Sequence, residues 1–380
     1  DVSRAAQLPG VRAIATHETA PVVWGAGSIS GGRQYNDPAK EATLHRRFIF
    51  NNPVRFVGDS VAAVAAVDRN IAEEALSLID VDYEELPFVL EPEEALAPGA
   101  PQIWPEGNLC PDFRNNFEPM VSNIGDVEAG FAAADQIFEE RYATGFIHNG
   151  QMEPRCAMAS WQGDKLTLYT PSQGISNCRH DVARDLGLAV HQVRIVCNYM
   201  GGGFGNKNQN QDADLVAATL SRLANAPVML EYSRKEDWLG VHGRWPTVQY
   251  YKVGVKDDGE VTAIEMEGFS GMGPYRKNSG GISGMDVYAC ENRLRSISPV
   301  YTNRTTSGNF RAPSEPHGFF AVESMMDDIA YKIGIDPVEF TLKNMRRPTE
   351  DRPFTNYSLD ECIARGADSF DWDNRRQTVA

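Results

Sequence analysis

The sequence predicts an α+β fold in two unequal parts, a smaller α/β unit followed by a larger domain. Short apolar or alternating strand-like runs are interspersed with capped helical stretches. A proline-rich, acidic stretch over residues 86–101 punctuates the chain where the first unit would end. The 380 residues, 42% hydrophobic and 23% charged, have ordinary globular composition, enough for about two or three domains with substantial cores.

Taken in order, residues 61–67 form a small apolar run typical of a buried strand. Asp68 then caps a helix over about residues 71–78, and Val81-Asp82-Tyr83 alternates as a second strand. This unit is assigned to residues 1–100, an irregular connector to 101–124, and the larger domain to 125–380. The first residues, from Asp1 to Ala5, read like the middle of a domain, so the natural start is expected upstream. In the larger domain residues 166–170 read as a strand. Asn177 or Ser176 caps a helix ending near Leu186, where Gly187 supplies a left-handed stop. Residues 193–196 alternate as a strand and run into Gly201-Gly202-Gly203-Phe204-Gly205. A helix over 212–224 follows, with Pro227 punctuating its end. Ser233 and Glu236 form a capping-box pair. Residues 249–255 and 261–268 flank Asp257-Asp258-Gly259 as a hairpin. Ser314 caps a helix through Ile333 that stops at Gly334, and Asp336-Pro337 opens another with proline in its first turn.

Charge and cysteines narrow the function classes. A formal charge of −16 opposes binding to duplex nucleic acid or an anionic membrane, both of which need basic patches. The six cysteines contain no CxxC pair, so scattered buried thiols in a reducing, cytoplasmic compartment are expected. An iron–sulfur cluster held by this chain alone is not expected. No run of about 18 apolar residues and no signal peptide is present.

The glycine run is the most informative local feature. A strand feeding glycines and then a helix lets backbone amides approach an anion or oxo group without intervening side chains. A phosphate-binding P-loop would end in Gly-Lys-Ser/Thr, where Asn206-Lys207-Asn208 stands, and Asn206 also breaks a dinucleotide GxGxxG. Taken alone, the run also reads as a tight turn. In Gly308-Asn309-Phe310-Arg311-Ala312-Pro313 the arginine could orient a polar ligand through its guanidinium fork, or simply bond loop carbonyls at the surface. Gln173 of Thr170-Pro171-Ser172-Gln173 ends a strand and could donate its amide into a site, or be solvated. His148 and Glu153 read as a satisfied internal pair rather than metal ligands.

As a set, these segments resemble the molybdenum-binding subunit of the xanthine oxidase family of hydroxylases. Arg55-Phe56-Val57-Gly58-Asp59-Ser60-Val61-Ala62, followed by Val81-Asp82-Tyr83-Glu84-Glu85-Leu86-Pro87, is similar to that family's α/β hammerhead domain, here truncated. Gly125-Asp126-Val127-Glu128 through Met152-Glu153-Pro154 resembles the start of its first molybdopterin-binding domain. Residues 170–173, the glycine run and Asn309-Phe310-Arg311 then fall in the family's order and at its approximate separations.

The resemblance implies a molybdenum–molybdopterin cofactor, in some members in the cytosine dinucleotide form. Gln173 would hydrogen-bond the oxo ligand through its side-chain amide. The backbone amides of Gly202, Gly203, Phe204 and Gly205 would cradle the oxo group and the pterin dithiolene side, with Phe310 and Arg311 on the opposite wall. No side chain would ligate the metal directly. Asn208, Pro313 and the 268–284 loop would shape the substrate pocket. The implied reaction inserts water-derived oxygen into an aldehyde or N-heteroaromatic substrate, with electrons leaving through iron–sulfur clusters and FAD on partner subunits.

Such subunits run about twice this length, and their general-base glutamate lies in the second half, so a second molybdenum-domain half is an expected partner and no catalytic residue is assigned here. Purine-oxidising members carry a glutamate where Asn208 stands and a phenylalanine where Pro313 stands, and residues 279–283 offer no arginine. Carbon monoxide dehydrogenases carry a cysteine where Ala312 stands. An aldehyde or N-heteroaromatic substrate ranks first. A hydratase or alcohol dehydrogenase acting on a cyclic enone or alcohol, a non-catalytic scaffold half, and a nucleotide-binding enzyme are the alternatives.

Overall fold

A computed structural model describes residues 1–20, 47–110, 118–275, 279–350 and 353–375. The fold is α+β, with three antiparallel or mixed sheets and helices packed on them. Helix α1 (Ser3–Gln7) leads into β1 (Val11–Thr16), which pairs antiparallel with β2 (Ala62–Ala66). Asp68 caps α2 (Arg69–Ser77), accepting the Ile71 N–H at 3.0 Å as its position before the helix requires. Val81-Asp82-Tyr83 forms no strand. The segment is exposed and no described strand lies alongside to take its backbone groups, so alternation alone does not make it β. A short α3 (Pro92–Leu96) follows.

The second sheet holds four strands. They are β5 (Cys156–Gln162), β6 (Lys165–Tyr169), β7 (Val193–Val196) and β8 (Val228–Glu231), in the order β7-β6-β5-β8. The helix after β6 begins at Ile175 and is capped by Gly174 with no side-chain bond, earlier than Ser176 or Asn177 would place it. Gly187 is left-handed, as expected (φ +66°). The helix Asp212–Ala224 has the expected bounds, but left-handed Asn225 ends it before Pro227 is reached. Residues such as Leu215, Val216, Ala217 and Leu220 bury nearly its whole circumference, because it lies between the first sheet and the second. One hydrophobic core therefore joins Ala15 and Ala65 to Leu166 and Leu168.

The third sheet has the order β3-β11-β10-β9-β4. Its strands are β3 (Met120–Ile124), β4 (Gln136–Thr144), β9 (Thr247–Val255), β10 (Val261–Gly273) and β11 (Arg293–Tyr301). Two expectations change here. The stretch read as an irregular connector contains β3, and residues 268–273 of the expected pocket loop extend β10 because β11 pairs parallel along them. Residues 276–278 of that loop lie outside the described residues. The β9–β10 hairpin forms with Gly259 at φ +84°. Ser233 and Glu236 cap Arg234–Gly240 reciprocally. The helix Glu315–Ile333 packs Val322, Met325 and Ile329 on this sheet and ends at left-handed Gly334, but Ser314 makes no side-chain cap bond. Asp336 caps Pro337–Asn344 through the Val338 and Glu339 N–H groups.

Cys110, Cys178 and Cys290 are buried, but Cys156 and Cys197 are half-buried and Cys362 is exposed, so only half the thiols follow the buried expectation. No helix among the described residues is long and apolar enough to cross a membrane.

Candidate functional site

The site forms where the second and third sheets meet, from two loops. The glycine loop follows β7, with Gly202, Phe204 and Gly205 at φ +93°, +53° and +98°. The side-chain Oε1 of Gln173, just past β6, accepts the N–H groups of Gly205 (2.9 Å) and Lys207 (3.2 Å), while the Gln173 N–H donates to the Lys207 carbonyl at 2.8 Å. A Cβ on Gly203 would lie 2.4 Å from that Oε1, so glycine is what lets the glutamine close on the loop. With Oε1 committed, Nε2 bonds to none of the described residues.

Lys207, the residue that a P-loop would aim at phosphate, turns inward. Its buried ammonium lies 2.5 Å from Glu153 Oε2, which also accepts the Gly201 N–H at 3.0 Å. Burial pulls the Lys207 pKa below the usual lysine range, and the Glu153 bond opposes that shift. Glu153 and His148 are each satisfied, but not by one another. The His148 ring stacks on Trp238 at 5.6 Å, its Nδ1 accepts the Gly150 N–H and its Nε2 donates to the Asp237 carbonyl. The expected internal pair is two separate arrangements, because Lys207 and Asp237 reach these groups from distant segments.

The second loop joins β11 to the helix Glu315–Ile333. Its Arg311 N–H donates to the Phe204 carbonyl at 2.9 Å, tying the two loops together. Asn149, buried below, donates to the carbonyls of Phe204 (2.9 Å) and Asn309 (3.1 Å) and accepts from Asn206 Nδ2 at 3.2 Å. Arg244 donates to the carbonyls of Phe310, Arg311, Ala312 and Pro313, and its guanidinium lies 4.8 Å from the Phe310 ring centroid. The Arg311 side chain is exposed and bonds to none of the described residues.

The structure thus brings together Gln173, the glycine loop, Phe310 and Arg311. Asn208 stands on the Gln173 side, its carbonyl facing Gly174, and Pro313 stands on the Arg244 side, with no hydrogen bond joining the two. Sequence reasoning missed Asn149, Arg155, Arg244 and Asp237. Arg155 is buried beneath the glycine loop, where it donates to the Asn206 carbonyl and takes an Asp237 carboxylate oxygen on its own N–H. None of these residues lies in a recognisable motif, and only their coming together in the fold reveals them. Among the described residues no group of three His, Cys, Asp or Glu side chains is placed to hold a metal ion. The groups available are amide and guanidinium donors, which suit an anionic or oxo-bearing ligand.

Comparison with known proteins gives the family. Residues 111–345 match the molybdopterin cofactor-binding domain, and residues 1–87 match the aldehyde oxidase and xanthine dehydrogenase a/b hammerhead domain. The chain is 33% identical to the xanthine dehydrogenase molybdenum-binding subunit of Escherichia coli O157:H7, over 98% of this chain and 50% of that protein. It is 27% identical to the nicotinate dehydrogenase large molybdopterin subunit of Eubacterium barkeri, over 90% of this chain and 78% of that one. The aldehyde oxidoreductase of Desulfovibrio gigas superposes with a TM-score of 0.83 at 26% identity, covering all of this chain and 42% of that structure. The chain spans about half the length of the curated relatives it matches first. It belongs to the molybdopterin cofactor-binding family, among the molybdenum-binding subunits of the xanthine oxidase family.

Proposed function

We propose that this chain is the cofactor-cradling part of a molybdenum hydroxylase acting on an aldehyde or an N-heteroaromatic compound. The observation that carries the reading is the Gln173 amide, whose oxygen is locked by Gly205 and Lys207 while its Nε2, beside the glycine loop, bonds to none of the described residues. The Arg311 guanidinium on the facing loop, exposed and bonded to none of the described residues, also fits an anionic, oxo-bearing group. When bound, that group would supply the Lewis-acid and two-electron redox chemistry for inserting water-derived oxygen into an electron-poor carbon.

The chain's own residues would orient and stabilise. Gln173 Nε2 and the amides of Gly202, Gly203 and Phe204 would donate toward negative charge on the cofactor, where fixed dipoles need no reorganisation. The Gly205 amide, expected as a further donor, is given to Gln173 Oε1 and holds that side chain in place. Phe310 and Arg311 would hold the opposite wall, and Asn208 and Pro313 would border the substrate. The general base would come from a second molybdenum-domain half, and iron–sulfur and FAD subunits would carry electrons away. The uncrosslinked cysteines support a reducing, cytoplasmic setting.

Metal and pterin analysis of the whole native protein tests the reading, and a preparation free of both would end it. Gln173→Ala and Arg311→Ala are expected to lower turnover without unfolding the protein, by about a hundredfold for Gln173. Unchanged turnover in both variants would contradict the assignment.

A further inference from the structure

We infer that Arg244 is the positioning residue of the cofactor site, setting the shape of the Arg311 loop by gathering four successive carbonyls onto one buried guanidinium. The inference rests on the proposed function and adds to it a residue outside the glycine, glutamine and arginine motifs. Arg244 Nη1 donates to Ala312 O at 2.6 Å and Pro313 O at 3.0 Å, and Nη2 to Phe310 O at 3.3 Å and Arg311 O at 2.5 Å. Four successive carbonyls turn toward one point, with Ala312 in the left-handed region at φ +53°. An alanine adopts that conformation only when its surroundings impose it.

The charge itself is informative. Arg244 is 4% exposed and has no ion pair within the described residues. Burial pulls its pKa down, and only the more distant Glu315 opposes this. A buried cation neutralised by no carboxylate is costly, and an apolar side chain would pack the same volume without that cost. The arrangement makes sense if the guanidinium is kept for its five donors in a rigid fork, which here solvate carbonyls that would otherwise point into protein. Lysine cannot reproduce that fork.

The backbone of Arg244 shows how the clamp is aimed. Its N–H donates to the Ile147 carbonyl at 2.8 Å, and the Ile147 N–H returns the bond at 3.3 Å. Two residues beyond Ile147, Asn149 holds the glycine loop. One residue before Arg244, the Gly243 carbonyl accepts the Gly308 N–H at 2.8 Å. A short two-stranded contact therefore delivers Arg244 to the arginine loop and Asn149 to both loops, and fixes the loops relative to one another. The exposed Arg311 side chain takes its position from this clamp, since among the described residues its own backbone is held by the Phe204 carbonyl on one side and Arg244 on the other.

The test uses the whole holoprotein and the variants Arg244→Lys and Arg244→Met, read by hydrogen exchange, molybdenum content and steady-state kinetics. Arg244→Lys should speed amide exchange across residues 309–314 at least tenfold while residues 212–224 exchange as in the parent. Molybdenum per chain should fall severalfold, and adding back the conservative lysine in place of methionine should not rescue it. Parental exchange at 309–314 in both variants would overturn the inference, as would equal acceleration in 212–224, which would make Arg244 a residue of the general fold. If Arg244→Met fails to fold, Arg244→Lys decides alone. Absence of molybdenum from the parent protein would end the functional reading, whereas the exchange data would still decide the clamp.

Discussion

The glycine loop and the arginine loop face one site but are built by opposite means. The glycine loop carries its own conformational permission, since two of its three left-handed positions are glycines and Gly203 leaves the space that Gln173 fills. The arginine loop has no glycine between Asn309 and Pro313 and takes its shape from Arg244, 66 to 69 residues earlier in the chain. A shape written into a segment can be read from that segment. A shape imposed by a distant side chain is visible only once the chain has folded.

The largest expected effect comes from taking away the glycine loop's own permission. In Gly203→Val the first added carbon meets Gln173 Oε1 at 2.4 Å, so the glutamine must leave and the Gly205 and Lys207 amides lose their acceptor. Overpacking of this kind costs about 1–3 kcal/mol, and the bound cofactor should be lost with the donor that faced it. Thermal melts and molybdenum content measure the two effects. Full metal content in this variant would show that Gln173 can yield, and the self-shaped account of the loop would fail.

Asn149→Leu should have the next largest effect and erase the contrast, because one side chain serves both loops. It removes one bond each from the Phe204 and Asn309 carbonyls and the Asn206 amide, although the Phe204 carbonyl keeps the Arg311 N–H and the Asn206 amide keeps the His242 carbonyl. Three lost hydrogen bonds cost about 2–4 kcal/mol together. Denaturant melts should register the loss, and hydrogen exchange should quicken in both loops. Acceleration confined to one loop would mean that the bridge is not shared.

The same contrast decides how much was legible. Asp68, Gly187, the Ser233–Glu236 box, Gly334 and Asp336-Pro337 announced themselves because each acts within a few residues of its own position. Gln173, the glycine run and Arg311 were readable as an ordered set, although their meeting is made by the Gly205 and Phe204 bonds rather than by spacing. β3 and the extension of β10 went unread because β11 supplies their pairing, and Val81-Asp82-Tyr83 was misread for lack of any such partner. Arg244, Asn149 and Arg155 act across long separations, and nothing local marks them.

The smallest expected effect concerns pH and separates the two supports. Asp214, in the first turn of the helix after the glycine loop, is fully buried, and that burial pushes its pKa up to about 6. An unfolded aspartate titrates near about 3.9. Between the two values the folded chain binds more protons than the unfolded one, so this residue's contribution to stability falls as pH rises through that window. Between about pH 5 and about pH 7 the decline should be roughly 1 kcal/mol. Asp214→Asn removes the titration, so the parent's stability relative to this variant should fall by that amount over the same range in urea melts. The arginine loop is held by a guanidinium that keeps its charge throughout, and its side of the site should not follow this slope. A variant whose pH dependence matches the parent's would mean that Asp214 is ionised in the fold at both ends of the range. The buried carboxylate beneath the glycine loop would then be compensated by Arg155 rather than neutralised by a proton.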